Sequence, residues 1–318
     1  MHKILQLLSH RPIQIVLSLW RHSMKISPEP LQNPFLENSL CTSDEELATR
    51  AKAGDRERLE LLLTRHLPWI FNFSLRMLHR HADAEDATQE ILLKAMKALP
   101  GFRVEAKFRT WLYRIAFNHL LNVKKPKWAA SDAICSFAQA SGGLRQVPDL
   151  DPPDPRTVPV PIEILVEETG NNCMIGTLLC LDGRQRLVFI LGEIFQVSDE
   201  VGAEIAEVTP ANFRQILSRA RRDLYEYLRD NCSLVNPEND CKCHRKTRAF
   251  IQAGFVDPAK LEFTQPHVRK VREVAAQRAP ELFDAYMEAG ASVYRGHPFY
   301  EPSEQTAILR RVLPPLAL

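Results

Sequence analysis

The chain has 318 residues, 45% hydrophobic and 25% charged, with a formal net charge of +2. That composition is ordinary for a globular protein of two or three small domains, and it gives no whole-molecule field for a polyanion. Any nucleic-acid surface must be sought in local clusters, and seven cysteines over this length exclude a dense disulfide scaffold. In chain order, Ile4 to Trp20 is apolar but broken by His10, Arg11 and Pro12. No run approaches the roughly 20 apolar residues that span a bilayer, and no small-residue cleavage site follows. Residues 1–43 are therefore expected as a poorly ordered or mis-annotated extension, with Met24 a candidate translation start. The expected compartment is the cytoplasm, with no membrane partner.

From Asp44 to Lys125 apolar residues recur at helical spacing, and no alternating pattern predicts a strand. Ser43 is a candidate N-cap, followed by Asp44, Glu45 and Glu46, where the helix dipole favours carboxylates. Leu59, Leu62, Leu63, His66 and Ile70 form one stripe. Trp69, Phe71, Phe73, Leu75 and Leu78 add bulk for the core of a small helical domain. In the segment 83–92, Asp83, Asp86 and Glu90 share a face at i, i+3, i+7, beside an apolar stripe of Ala84, Ala87, Ile91 and Ala95. After Pro100-Gly101-Phe102, residues 108–122 predict an aromatic, basic helix. It carries Arg109, Arg114, Asn118, Asn122, Lys124 and Lys125 on or near one side, with Trp111, Tyr113 and Phe117 interleaved. Trp111, Leu112, Ile115 and Ala116 are read as core.

Residues 126–161 change character. Ser141-Gly-Gly143 is followed by Pro148, Pro152, Pro153, Pro155, Pro159 and Pro161, which forbid regular helix or central strand. With Asp149, Asp151 and Asp154, this stretch reads as an acidic, semi-stiff linker.

Residues 162–230 read as a helix-turn-helix domain. Leu181 to Leu191 predicts one packed helix, and Ser198 caps the next. Thr209 caps a third, with Pro210 at its favoured first position. Phe213, Ile216, Leu217 and Ala220 form the buried face of that third helix. Asn212, Arg214, Gln215, Ser218, Arg219 and Arg222 are left outward. Arg, Asn and Gln hydrogen-bond base edges, and a recognition helix sets its N-terminal half against them. Asn212, Arg214 and Gln215 are thus assigned to base reading, and Arg219 and Arg222 mainly to phosphate.

Residues 231–318 form a C-terminal extension that opens on clustered cysteines. Cys232, Cys241, Cys243 and His244 are a candidate structural or sensory zinc set, with His267 or His297 as alternative fourth ligands because Cys243 and His244 are adjacent. Val268, Val271, Val274, Leu282, Phe283 and Tyr286 continue in helical register to an aromatic turn, residues 294–300. The tail is expected to fold against the helix-turn-helix and tune its access to DNA. No His-Glu-x-x-His or comparable constellation points to a hydrolase, so no catalytic residue and no required cofactor are assigned.

The two segments 83–92 and 108–122, with their Pro-Gly hinge, closely resemble region two of the bacterial sigma factors, the extracytoplasmic-function (ECF) group above all. Residues 178–228 resemble region four. The resemblance covers roughly half the chain and implies an all-α protein: two small helical domains joined by the Pro-rich linker, plus the extension. It implies core RNA polymerase and promoter DNA as partners, with an inhibitor protein a further candidate. By the resemblance, Asp83, Asp86, Gln89 and Glu90 dock on the coiled-coil clamp of the largest polymerase subunit. Val104 to Phe108 cradles a flipped base of the −10 element, flanked by Arg114, Asn118 and Asn122. The third helix of the second domain reads the −35 element, and the linker aspartates mimic nascent RNA. The alternative is a stand-alone helix-turn-helix regulator. Two positions depart from the family pattern: Glu207 stands where a turn glycine is common, and Gly202 where a bulky apolar residue is, which predicts a strained turn and thinner packing.

Overall fold

Ser43 opens the first helix as expected, its hydroxyl accepting from the Glu46 N–H at 3.1 Å. This is α1, Asp44–Lys52, in a computed structural model that describes residues 42–103, 107–123, 148–263, 283–295, 299–300 and 305–313. The expectations for residues 1–41, Val104, Lys124, Lys125, most of the linker, His267 and His297 fall outside the described residues.

Asp55 caps α2, Arg56–Leu78, through the Arg58 N–H at 3.1 Å. From Trp69 to Leu78 every residue of α2 is buried. A helix buried on every side, Asn72, Ser74 and Arg76 included, must be covered all round, and this fixes the architecture. One side is covered by α3, His81–Ala98, and α4, Phe108–Asn122. The other is covered from further along the chain. Phe195 and Phe299 meet Trp69 at 5.3 and 4.3 Å between ring centroids. Ile175, Phe263 and Tyr300 join Phe71, Leu75 and Ala84 in one cluster.

Buried polar groups lock this second cover. Asn72 makes two backbone bonds with Tyr300, at 2.6 and 2.9 Å. The guanidinium of Arg186 donates to the Met77 carbonyl at 2.7 Å, an acceptor left over at the C-terminal end of α2, and to the carbonyls of Leu178 and Leu181 at 2.9 Å in the turn before its own helix. His79 ends α2 at a φ of 71°, with Nε2 2.9 Å from the Asn172 side-chain oxygen. Thus the segments 44–123 and 162–230, read from sequence as domains held apart by a linker, pack directly on one another.

α5, Ile162–Thr177, carries three buried polar side chains that bind the extension. The Glu168 carboxylate accepts from the Glu262 and Phe263 N–H groups at 2.8 and 2.9 Å. Asn171 and Asn172 donate to the carbonyls of Phe263 and Phe255, each at 2.7 Å. α6, Gly183–Phe189, starts with a reciprocal Asp182–Gln185 capping box and continues as a π turn over Ile190–Ile194. The single helix expected over Leu181–Leu191 is thereby widened at its end, and Glu193 of that turn lies buried between Arg221 and Arg295.

Then follow α7, Asp199–Ala206, and α8, Pro210–Asn231. The extension adds α9, Cys243–Gln252, on α5. α10, Phe283–Tyr294, lies on α8, and α11, Gln305–Val312, lies on α2 and α3. At the α10–α8 crossing, a Cβ built on Gly290 would stand 2.6 Å from the Tyr225 ring, so only glycine permits that approach. Among the described residues the structure is helical, with isolated bridges but no strand.

Candidate nucleic-acid interface

α3 buries Ala84, Ala87, Thr88, Ile91, Leu92 and Ala95. That leaves Asp86 and Glu90 exposed and Asp83 and Gln89 half-buried on its outer side, as the spacing predicts. The Thr88 hydroxyl donates to the Ala84 carbonyl at 2.6 Å, which removes its polarity from the core. Glu90 lies 3.8 Å from the His119 ring, whose other nitrogen is 2.6 Å from Lys94. Gln89 accepts from Arg311 of α11 at 3.5 Å.

α4 has no side-chain cap of its own; the Glu45 carboxylate of α1 receives the Phe108 N–H at 2.8 Å instead. Phe108, Tyr113 and Phe117 are core, and Trp111 lies half-buried against Phe102 and Phe108, with centroids 5.2 and 5.4 Å away. Tyr113 and Phe117, placed by sequence among the interleaved aromatics of the basic face, are thus packed inward.

Arg109 also turns inward. It donates to Asp44 at 2.6 Å, and the same carboxylate takes Arg65 at 2.5 Å and the His66 ring at 3.1 Å. Burial would raise the Asp44 pKa, but the bond and charge of His66, with those of Arg109 and Arg65, hold it well below the usual carboxylate range. Sequence reasoning took Asp44 only as a first-turn acid and Arg109 as a DNA contact; the structure makes both a structural hub. Arg114 is engaged too, 3.2 Å from Glu204 and 3.8 Å from Glu207 of α7 and its turn. Asn118 and Asn122 remain exposed, Asn122 donating to the Asn118 carbonyl at 2.7 Å.

α7 and α8 make a helix-turn-helix. Ser198 caps α7 and Thr209 caps α8, the latter accepting from the Asn212 N–H at 3.2 Å. Between them Glu207 adopts a φ of 54° and ψ of 47°, the left-handed region, so the expected turn strain is present. Gly202 corrects the second expectation. A Cβ there would lie 2.4 Å from the Phe213 ring, so the missing side chain does not thin the packing; the aromatic of α8 fills its place. The outer side chains Asn212, Arg214, Gln215, Ser218, Arg219 and Arg222 are all exposed. Arg214 and Arg222 make exposed ion pairs with Asp199 and Asp223, at 3.3 and 3.2 Å.

The proposed zinc set does not assemble. Cys232 and Cys241 are buried side by side on a backbone bridge, but His244 is exposed on α9. Adjacent residues on a helix point about 100° apart, so Cys243 and His244 diverge. Among the described residues no three His, Cys, Asp or Glu side chains are grouped to hold a metal ion. The neighbour sequence reasoning missed is Cys173 of α5. Burial first, then Cys241, Cys232 and Cys243, push its thiol pKa up, and burial with Cys243 pushes Cys241 up to about 12. Such thiols stay protonated and weakly nucleophilic. Two of the three linker aspartates are likewise engaged: Asp149 pairs with Lys246 of α9 at 2.9 Å, and Asp154 with Arg156 at 2.7 Å.

An acidic helix face beside an aromatic helix, followed by a helix-turn-helix, makes an all-helical protein with the architecture of a DNA-binding module. Comparisons agree. A family model described as Sigma-70 region 2 matches residues 62–128. The RNA polymerase sigma-H factor of Pseudomonas aeruginosa is 31% identical over 129 residues, covering 40% of this chain and 67% of that protein. The ECF RNA polymerase sigma-E factor of Escherichia coli K12 is 28% identical over 185 residues, 56% of this chain and 91% of its own. That of Haemophilus influenzae is 28% identical over 182 residues, 56% of this chain and 92% of its own. The chain belongs to the RNA polymerase sigma factor family and is of the ECF type. No helix among the described residues is long and apolar enough to cross a membrane.

Proposed function

We infer that this chain binds core RNA polymerase and directs it to a limited set of promoters. The observation that carries this reading is the pairing of two surfaces: the carboxylate side of α3, with Asp86 and Glu90 exposed, and the outer side of α8, with six exposed polar or basic residues. Asp83, Asp86, Gln89 and Glu90 meet polymerase. A carboxylate stripe facing a basic partner sets register and encounter rate more than raw affinity. Asn212, Arg214 and Gln215 read base edges of the −35 element, while Ser218, Arg219 and Arg222 hold phosphate.

Asn118 and Asn122, with Arg114 once it leaves Glu204, hold the strand opened at the −10 element. Opening a base step costs a few kcal/mol, and stacking a base on an aromatic returns about 1–3, so melting is completed only with polymerase. The protein's part is to bind and position, and no bond is made or broken on its own residues.

The test is run-off transcription with purified core polymerase on pooled genomic promoters, including the segment upstream of this gene. Discrete transcripts with wild type that fade with Asp86→Ala/Glu90→Ala support the reading. DNA binding without transcripts would favour a stand-alone helix-turn-helix regulator, for which the open side of α8 is the favouring observation.

A further inference from the structure

α11 is eight residues long and lies against α2 and α3. Its apolar side, Ile308, Val312 and the following Leu313, closes a cluster with Leu63 and Leu67 of α2 and Leu92 of α3. Its basic end, Arg310-Arg311, is exposed, and Arg311 donates to Gln89 at 3.5 Å. On α3, Asp86, Gln89, Glu90 and Leu93 follow one another at i, i+3, i+4 and i+7, so they share one side of the helix. Leu93 itself packs against the cluster that α11 closes. The extension thus lays a short amphipathic helix with a basic end on the side of α3 that carries the carboxylates.

We propose that α11 is an intramolecular occupant of the polymerase-docking surface, which core polymerase must displace before the chain can act. This rests on the reading of α3 given under Proposed function and adds its regulation. Two features suit α11 to the role. The charge order matches that expected of the partner: the basic end reaches Gln89, on the stripe that also carries Asp86 and Glu90, with the helix dipole already favouring cations at that end. Helices shorter than about 12 residues are marginal in water, so α11 keeps its helix largely through its contacts with α2 and α3 and unravels when displaced.

The sequestration extends beyond α11. The extension grips α2 through the Asn72–Tyr300 bonds, and Arg114 of α4 is paired to α7. Release of α11 frees Gln89 and Leu93 on the side of α3 where Asp86 and Glu90 are already exposed, without requiring the buried clasp at Tyr300 to open first. Two-site coupling of this kind is reciprocal: polymerase binding loosens α11 by the same factor that docked α11 weakens polymerase binding.

The experiment measures the affinity of the full chain for purified core RNA polymerase. It compares wild type with Ile308→Ala/Val312→Ala, which weakens the apolar contact, and with Arg311→Glu. The second change is at an exposed residue, leaves the core intact, removes the donor to Gln89 and reverses the charge facing an acidic helix side. The proposal expects both variants to bind polymerase roughly 5-fold or more tightly than wild type, the low end of ordinary coupling between sites. Affinity equal to or below that of wild type in Arg311→Glu overturns it. Asp86→Ala/Glu90→Ala separates the two levels. If it weakens binding while the α11 variants change nothing, α3 docks polymerase and α11 does not guard it. If no form of the chain binds polymerase, the docking reading fails and the proposal fails with it.

Discussion

On α8 the outward residues Asn212, Arg214, Gln215, Ser218, Arg219 and Arg222 all stand exposed, whereas on α3 and α4 only Asp86, Glu90, Asn118 and Asn122 do and the other candidates are half-buried. Arg109 serves Asp44, Arg114 faces Glu204 and Glu207, and Gln89 accepts from Arg311. Both surfaces derive from helices whose opposite sides are apolar, so burial alone does not distinguish them. The difference lies in what the rest of the chain brings. α10 packs on the buried side of α8 at Tyr225, behind the recognition surface, while α7 and α11 come to the front of α4 and α3. The outer side of α8 is left open, and the outer sides of α3 and α4 are in part met by other elements.

The largest expected effect separates structural from functional arginines. Asp44→Ala leaves Arg109, Arg65 and His66 without their buried acceptor and should cost about 3–5 kcal/mol in denaturant unfolding, the usual penalty for breaking a buried ion pair. A loss below about 1 kcal/mol would return Arg109 to the DNA-contact set. On the open surface, Gly202→Leu forces a side chain into the Phe213 ring. It should destabilise by about 1–3 kcal/mol, as overpacking does, and lower DNA affinity with it.

Arg214→Ala should weaken promoter-DNA binding by the free chain by about 1–3 kcal/mol, the range of one base contact, with the loss visible in a gel-shift titration. Asn118→Ala should leave that titration unchanged and lower only transcription with polymerase, because the proposed role of α4 is to hold a strand that opens only with polymerase. The smallest effect is Glu207→Gly. It relieves a left-handed residue and should stabilise the fold by about 0.5–1 kcal/mol in thermal unfolding, while removing one of the carboxylates that hold Arg114.

Acid should loosen the packing around α2 and α3. Burial holds the His79 and His81 imidazoles below their ordinary value of 6.5, with Arg80 and Lys260 acting in the same direction and Glu262 and Glu85 opposing. The folded pKa lies below the unfolded one, so the unfolded chain binds more protons, and stability falls as pH drops through about 6.5. Asp44 adds a loss at lower pH, because its depressed carboxyl stabilises the fold only while ionised. Unfolding free energies that do not change between pH 7 and 5 would contradict the burial of these rings.

The legible features were those written in local sequence. The caps Ser43, Ser198 and Thr209, the Pro210 start and the carboxylate spacing on α3 all depend on residues three to seven apart, and each is found where the pattern puts it. The illegible ones are pairings between distant segments. Nothing near Asn72 announces Tyr300, and nothing near Glu168 announces the 262–263 backbone, yet both polar groups are buried only because those partners arrive. Arg109 and Arg186 look like surface cations until Asp44 and the Met77 carbonyl are known. One signal was available and passed over. The run Trp69 to Leu78 sets bulky apolar residues on most sides of the helix, broken only by Asn72, Ser74 and Arg76, which points to a second layer over it.

Hydrogen exchange of the full chain, alone and with core RNA polymerase, tests the central contrast most directly. The account predicts that α11 amides are protected in the free chain and exchange quickly in the complex, while the 83–93 stretch of α3 becomes more protected. Exchange in α11 and α3 that does not change when polymerase is added would contradict both the docking surface and its intramolecular occupant.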